Sequence, residues 1–371
     1  MKHLSNIYWL GTKELRTLWR DKVMMFLIIY SFSFGIYIGA TATSMEIHNA
    51  SIAFVDQDRS ALSGRLASAF YKPRFKPPTL ISAAEMDAGM DAGVYTFVVT
   101  IPPDFEKDVL ASRQPELQVN IDATRMTQAG IGAGYIQHML TDTISTFVQD
   151  KPTGQTMPIG LVTRFKYNPN LTSSWFGSIM EIINNIAMIS IILSGAALIR
   201  EREHGTLEHL LVMPLNAAEI MLSKIWSTAF VILISVAFSL YVVVEIILSI
   251  PIAGSIPLFL FGSLLLLFST TSLGILMGTI ARTMPQLGLI FILTVLPLQI
   301  LSGSVTPFES MPDMLQYIMK FAPTSHFVEM AQAILYRGAG IDIIWPNLIA
   351  ILIIGCVNFY LSYLLFRKHL N

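Results

Sequence analysis

Apolar runs and polar gaps divide this chain into membrane-length segments before any single residue is considered. A helix needs about 20 apolar residues to cross the hydrocarbon core, and six stretches are of that order: 23–43, 176–198, 226–248, 257–280, 286–304 and 346–366. The first, fourth and sixth hold no charge; the second carries Glu181, Asn184 and Asn185, the third Glu245, and Pro297 breaks the fifth. Ahead of the first run, "LSNIYWLGTKELRTLW" (4–19) sets Ile7, Leu10, Leu15 and Leu18 on one helical face, with Lys13, Glu14 and Arg16 largely on the other. Such a helix lies in the membrane plane. Residues 1–22 are therefore an expected in-plane amphipathic helix on the cytoplasmic side, and 23–43 the first transmembrane helix. Ala40-Thr41-Ala42 resembles a leader cleavage site, but the apolar run from Val23 is too long for a usual leader core, which favours a retained anchor.

Between 44 and 172 the pattern switches to short strands alternating with helical stretches. "IAFVD" (52–56), "VYTFVVTIP" (94–102) and "ELQVNID" (116–122) read as strands, the second with the alternation of a half-buried one. "ALSGRLASAFY" (61–71) reads as a helix, and Ser82 and Glu85 stand at capping-box spacing. Pro103 opens a short helix at its first turn, and a longer helix is expected from about Gln128 to Gln149. The alternation predicts a small α/β domain, long enough at about 130 residues to bury its own core. The expected fold is an α-helical polytopic membrane protein of six transmembrane helices with an inserted extracytoplasmic α/β domain at 44–172. Residues 173–371 supply helices two to six, a cytoplasmic loop at 199–225 and an outer re-entrant or interfacial segment at 303–345. Within that segment "SMPDMLQYIMKF" and "TSHFVEMAQAILY" read as short amphipathic helices.

Composition and charge narrow the function. Charged residues make up 13% of the chain, against about 25% in soluble domains. A net charge of -1 offers no attraction to nucleic acid. Cys356 is alone, so no intrachain disulfide forms. "DQDRS" (56–60) lacks the glycine and distal glutamate of a calcium loop and reads as a strand-to-helix turn capped by Asp58 or Ser60. "GIGAG" (130–134) follows no strand, as a dinucleotide loop would. No phosphate-cradling G-x-x-x-x-G-K-[ST], no H-E-x-x-H, no metal-ligand cluster and no catalytic constellation occurs. Active transport by this chain would then draw on an ion gradient or on another subunit. Lys2, Lys13, Arg16, Arg20, Lys22, Arg200, Arg202, Lys224, Arg282, Arg367 and Lys368 fall on one side, against Lys320 and Arg337 on the other. The positive-inside rule places both termini in the cytoplasm.

Glu181, Asn184, Asn185 and Met188 stand at i, i+3, i+4 and i+7 and so share one broad helical face. A central charge costs about 2.5–3.5 kcal/mol on insertion scales, so this face must meet protein or a watery cavity. Two readings stay open: a translocation surface, or Glu181 at the outer interface with the asparagines bonding neighbouring helices. Glu245 lies near the outer end of the third span, and His326 reads as a packing or interface residue rather than a ligand. Gly35/Gly39 and Gly274/Gly278 mark close helix packing, within one subunit or between two.

The most charged short loop is "IREREHGTLEHLLVMP" (199–214), placed between two uncharged runs. Gly205 suits a helix end, "TLEHLLVM" gives a second short helical stretch stopped by Pro214, and Asn216 with Glu219 makes a capping-box start. The loop is an expected helical hairpin, charged at its tip, with Leu207, Leu210, Leu211 and Val212 available for docking. The plainer reading is a charged flank that only sets topology.

This loop resembles that of the permease subunits of ABC-2 type transporters, specifically the bacterial efflux kind with a large outside domain. Glu203, Gly205, Thr206, Glu208, Leu210 and Pro214 follow the family's E-x-G-T-x-E-x-L-x-x-x-P pattern, and "VDQDRSALS" (55–63), "IPPDFEKDVLASRQP" (101–115) and "VNIDAT" (119–124) resemble family segments. The resemblance implies a homo- or heterodimer of permease subunits in the bacterial inner membrane, each contacting a nucleotide-binding ATPase subunit. ATP and Mg would be bound there, with no cofactor on this chain and no covalent catalysis by it. Arg200, Glu201, Arg202, Glu203, His204, Gly205, Thr206 and Glu208 would couple ATP-driven closure to the spans. A periplasmic adaptor protein and export of drugs or other amphipathic compounds are further implications. Export of lipid-linked glycan or of sodium is the alternative within the family. A gradient-driven secondary transporter would require an inverted repeat, which a large insertion after the first span alone does not provide.

Overall fold

The computed structural model describes residues 2–42, 49–71, 74–111, 113, 115–122, 126–150, 173–205, 215–306, 308 and 311–370. The chain divides into two compact units, 1–43 with 174–371, and 44–173.

The 44–173 unit is built on a four-stranded sheet of order β2-β1-β3-β4, with β1 (Ile52–Asp56), β2 (Thr79–Leu80), β3 (Phe97–Ile101) and β4 (Gln118–Ile121). β1 pairs parallel with β2 and β3, and β3 pairs antiparallel with β4. β3 does not alternate between buried and exposed as its sequence suggests: Phe97, Val98, Val99 and Ile101 are all buried. It is a central strand covered on both faces. Ile52, Phe54, Phe97, Val99 and Ile101 join one core with Ile136, Leu140 and Phe147 from the helix Met126–Asp150, while Ala53, Val55 and Val98 pack the other face with Met86, Met90 and Tyr95. Gly132, from the glycine-rich pentad, lies in that helix where any Cβ would overlap the Phe97 ring. Its glycine serves close packing.

Of the two residues expected to cap the turn after β1 one does so, and the turn at Pro103 differs in detail. Ser60 caps the helix Ala61–Ser68 in a reciprocal box with Ser63, whereas Asp58 accepts the Glu106 N–H at 3.0 Å, at the start of the helix Phe105–Leu110. That helix begins two residues after Pro103, because Asp104 stands in the left-handed region at φ 59°.

Among the described residues of the 1–43 and 174–371 unit, five helices are long and apolar enough to cross a membrane: 22–41, 174–203, 217–247, 256–280 and 341–368. Met284–Ile300 is a further apolar helix of 17 residues. It runs past Pro297 for one more turn, in place of the expected break, because a proline so close to the end deprives the ladder of one donor only. Helices Asp313–Met319 and Pro323–Leu335 follow.

The first span is two helices, Lys22–Phe32 and Phe34–Ala42, interrupted at Ser33. The carbonyls next to the break find partners on other spans: Asn185 donates to Ser31 O at 2.9 Å, and the Ser239 hydroxyl donates to Phe32 O. Membrane-buried backbone must be satisfied within the protein, and these two side chains do it. Ser239 opens a π-helical stretch, Ser239–Ile247, that ends the third span. Gly274 and Gly278 pack within the subunit, against Ile191 and Gly195 of the second span.

Candidate functional site

The helix Lys2–Arg20 lies along the start of Ala217–Phe238, and their contact is organised around Trp226. Its indole N–H donates to Ile7 O at 3.0 Å, its ring stacks on Tyr8, and Gly11 leaves room for it. A Cβ on Gly11 would overlap the indole. Gly11→Val will therefore lift the N-terminal helix and expose it to limited proteolysis, and Trp226→Ala in the same chain will restore protection. Equal protease resistance of wild type and Gly11→Val would count against this contact.

Next to this contact lies a chain of alternating charges. Glu201 bridges Lys13 at 3.2 Å and Lys224 at 2.8 Å, and Lys224 also reaches Glu14 at 3.0 Å. The Lys224 side chain is 2% exposed and that of Glu201 10%. Two ammoniums and two carboxylates leave no net charge, and each buried ion has a counter-ion within reach, the condition under which burial is tolerated. Arg200 pairs with Asp21, at the joint between the N-terminal helix and the first span. Arg202 donates to Ala281 O at 2.5 Å, and Glu203 accepts the Met284 N–H at 3.4 Å. At the start of the third span, Glu219 accepts from the Asn216 N–H at 2.8 Å, meets His3 Nδ1 at 2.6 Å and accepts from Asn6 at 3.3 Å.

The charged run is thus divided. Arg200, Glu201 and Arg202 turn inward and fasten the second span to the N-terminal helix, the third span and the turn before Met284. Glu203 and His204 are exposed, and Gly205 takes the left-handed conformation, φ 66°, just past the helix end. Thr206 and Glu208, with the hairpin's second stretch, lie outside the described residues. Lys13, Glu14, Asp21 and Lys224 were not singled out from sequence as partners of this run. The signal available was Lys224, a cation at the edge of an apolar span that needs a carboxylate if buried.

The polar face of the second span is also divided. Successive side chains turn by 100°, so Glu181 and Asn185 fall to one side of it and Asn184 and Met188 to the other. Asn185 bonds the first span and Glu181, at 3.4 Å, while a Cβ on Gly39 would stand 3.2 Å from Glu181 Cγ. Asn185 is thus hydrogen-bonded to a neighbouring helix. Asn184 and Met188 instead line a narrow cavity of about 30 Å³ with Ile191, Leu266, Val295 and Phe327. Its few polar groups include Thr270, Gln299, Ser302 and Thr324. Its apolar wall with sparse polar groups is of the kind that lines small-molecule sites, although its free volume is that of a crevice between packed helices. Gln299 and Thr324 were invisible to span-by-span reading because they come from different helices.

Among the described residues no group of His, Cys, Asp or Glu could hold a metal ion. The sequence profile of ABC-2 family transporter proteins matches residues 23–364. The chain is 55% identical over 368 residues to the inner membrane transport permease YhhJ of Escherichia coli K12, covering 99% of this chain and 98% of that protein. It is 30% identical over 363 residues to the probable multidrug ABC transporter permease YbhR of Escherichia coli K12, covering 96% of each. It is 26% identical over 340 residues to the probable multidrug ABC transporter permease YbhS of the same strain, covering 89% and 88%. Permeases of this kind are transport subunits that normally work with an ATPase subunit. A helical unit rich in membrane-length spans, a profile match along most of the chain and full-length similarity to an inner membrane permease converge: this chain belongs to the ABC-2 family of transporter permeases.

Proposed function

We propose that this chain is the membrane-spanning subunit of an ATP-binding cassette exporter for drugs or other amphipathic compounds, driven by a separate ATPase that docks on the 199–225 loop. The observation that carries the reading is the charge cluster behind that loop. Ion pairs from Arg200 and Glu201 bind the N-terminal helix, the second span and the third span into one body, so a push on the loop moves all three. Glu203 and His204 stand at the exposed end of that body, with Gly205, Thr206 and Glu208 continuing the contact. The lysine and arginine bias supports cytoplasmic termini and an extracytoplasmic 44–172 domain, with Met284–Ile300 as a sixth, short span. A second permease copy and a periplasmic adaptor complete the assembly in this reading. The cavity holding Asn184 and Met188 is the candidate path, and the printed names of YbhR and YbhS support multidrug cargo.

The test is reconstitution with the nucleotide-hydrolysing subunit that co-purifies with the chain. Glu203→Ala will abolish stimulation of that ATPase while the permease remains inserted; undiminished stimulation rules the exposed end out as a contact. Met188→Trp will fill the cavity and reduce ATP-driven export of a fluorescent amphiphile while the ATPase still binds. Export by the purified chain without any ATPase would end the proposal.

A further inference from the structure

We infer that the cargo carries an anionic head: the apolar cavity adjoins a second, cationic one built to hold it. This rests on the reading of the first cavity as the path and adds the chemistry of the substrate. The second cavity, of about 670 Å³, shares Ser302 and Val328 with the first, so an occupant of one abuts the other. Among the described residues its wall holds Lys320, Arg337 and His326, against one carboxylate, Glu329. Neither Lys320 nor Arg337 has a carboxylate partner among the described residues. The His326 Nε2 donates to Lys320 O at 2.9 Å, which holds the imidazole beside the lysine.

The helix Pro323–Leu335 adds to the positive field. It starts between the two cavities: Thr324 lines the first and Ser325 the second. Its cap residue, Ala322, has no side-chain acceptor, and its first turn holds no acidic residue. The partial positive charge of a helix start is therefore left uncompensated, and such starts favour anions. The hydroxyls of Thr324 and Ser325 are shielded from solvent and have no hydrogen-bond partner among the described residues. Buried polar groups are ordinarily paired, and two idle donors at the junction of an apolar and a cationic cavity suit a ligand that spans it. An apolar body along Phe176, Phe308 and Val328 with a carboxylate, sulfonate or phosphate toward Lys320 and Arg337 satisfies the wall of the larger cavity. A cationic amphiphile would meet two unpaired positive side chains.

The experiment compares dansyl-undecanoate with its uncharged methyl ester for binding to the full chain in phosphatidylcholine nanodiscs. The carboxylate will bind about tenfold tighter, the worth of a charged hydrogen bond. Lys320→Gln with Arg337→Gln, both on exposed side chains, will erase that preference while ester binding stays unchanged. Equal wild-type affinities, tighter ester binding, or no binding of either probe overturns the inference, and none of these needs a variant to fold. Competition by added phosphatidylglycerol would assign the head site to a lipid, and its absence to a single-chain amphiphile; the anionic head stands in both. The path reading fails separately, if Met188→Trp leaves binding of both probes intact.

Discussion

Glu201→Ala will destabilise the helical unit by up to about 3 kcal/mol, the lower end of the cost of removing one partner of a buried ion pair, because Lys224 keeps Glu14. The substitution leaves Lys224, at 2% exposure, with Glu14 as its remaining carboxylate partner, and frees Lys13 from the second span. Attraction is not what the pair adds to stability, since well-packed apolar groups of similar size often do as well. The loss comes from the ammonium left behind. Glu201→Leu with Lys224→Met will therefore recover most of the stability that Glu201→Ala loses. Thermal inactivation of the detergent-solubilised protein measures both. A double variant no more stable than Glu201→Ala would show that the cluster is not a closed charge set. The double variant also separates stability from coupling, because it removes the ties of Glu201 to the N-terminal helix while restoring packing. Weaker stimulation of the partner ATPase in a stable double variant is the expected result.

The second large effect is expected at Gly274. A Cβ there would stand 2.6 Å from Ile191 O and 3.0 Å from Ile191 Cα, and would overlap the Ser194 hydroxyl. Two of these atoms are backbone of the second span and cannot swing aside. Gly274→Val will cost about 3 kcal/mol, the upper end for overpacking, by prising the second and fourth spans apart. Ser190 and Thr270, which hydrogen-bond at 2.6 Å between the same two spans, will separate with them. Gly288→Val is the control, since nothing lies within 4 Å of a Cβ at Gly288. Its folding yield should stay near that of wild type. Equal yields for Gly274→Val and Gly288→Val would mean that the close approach is not needed.

Local pattern revealed much of the molecule. The apolar runs located the helices, since each needs only its own residues to be recognised, and the 52–56 strand and the Asn216/Glu219 helix start were readable for the same reason. The break at Ser33 was not, because a run such as "YSFSFG" is as apolar as its neighbours and the partners that stabilise the break, Asn185 and Ser239, are far along the chain. The two-residue β2 was missed because so short a strand has no period to detect.

The candidate site divides the same way. The charged run and its family pattern could be read from 199–214, because a dense charge between two apolar spans is a local contrast. Which of those charges face inward depended on Lys13, Glu14, Asp21 and Lys224, contributed by elements up to about two hundred residues away. Periodicity likewise grouped Glu181, Asn184, Asn185 and Met188, yet a face of that width on a crowded helix meets two neighbours at once. Helix positions, membrane class and the family followed from the order of residues, since each rests on short-range composition. The pairing of buried charges, the sorting of the polar face and the meeting of an apolar with a cationic cavity arose from packing, because burial and counter-ions exist only once distant helices come together.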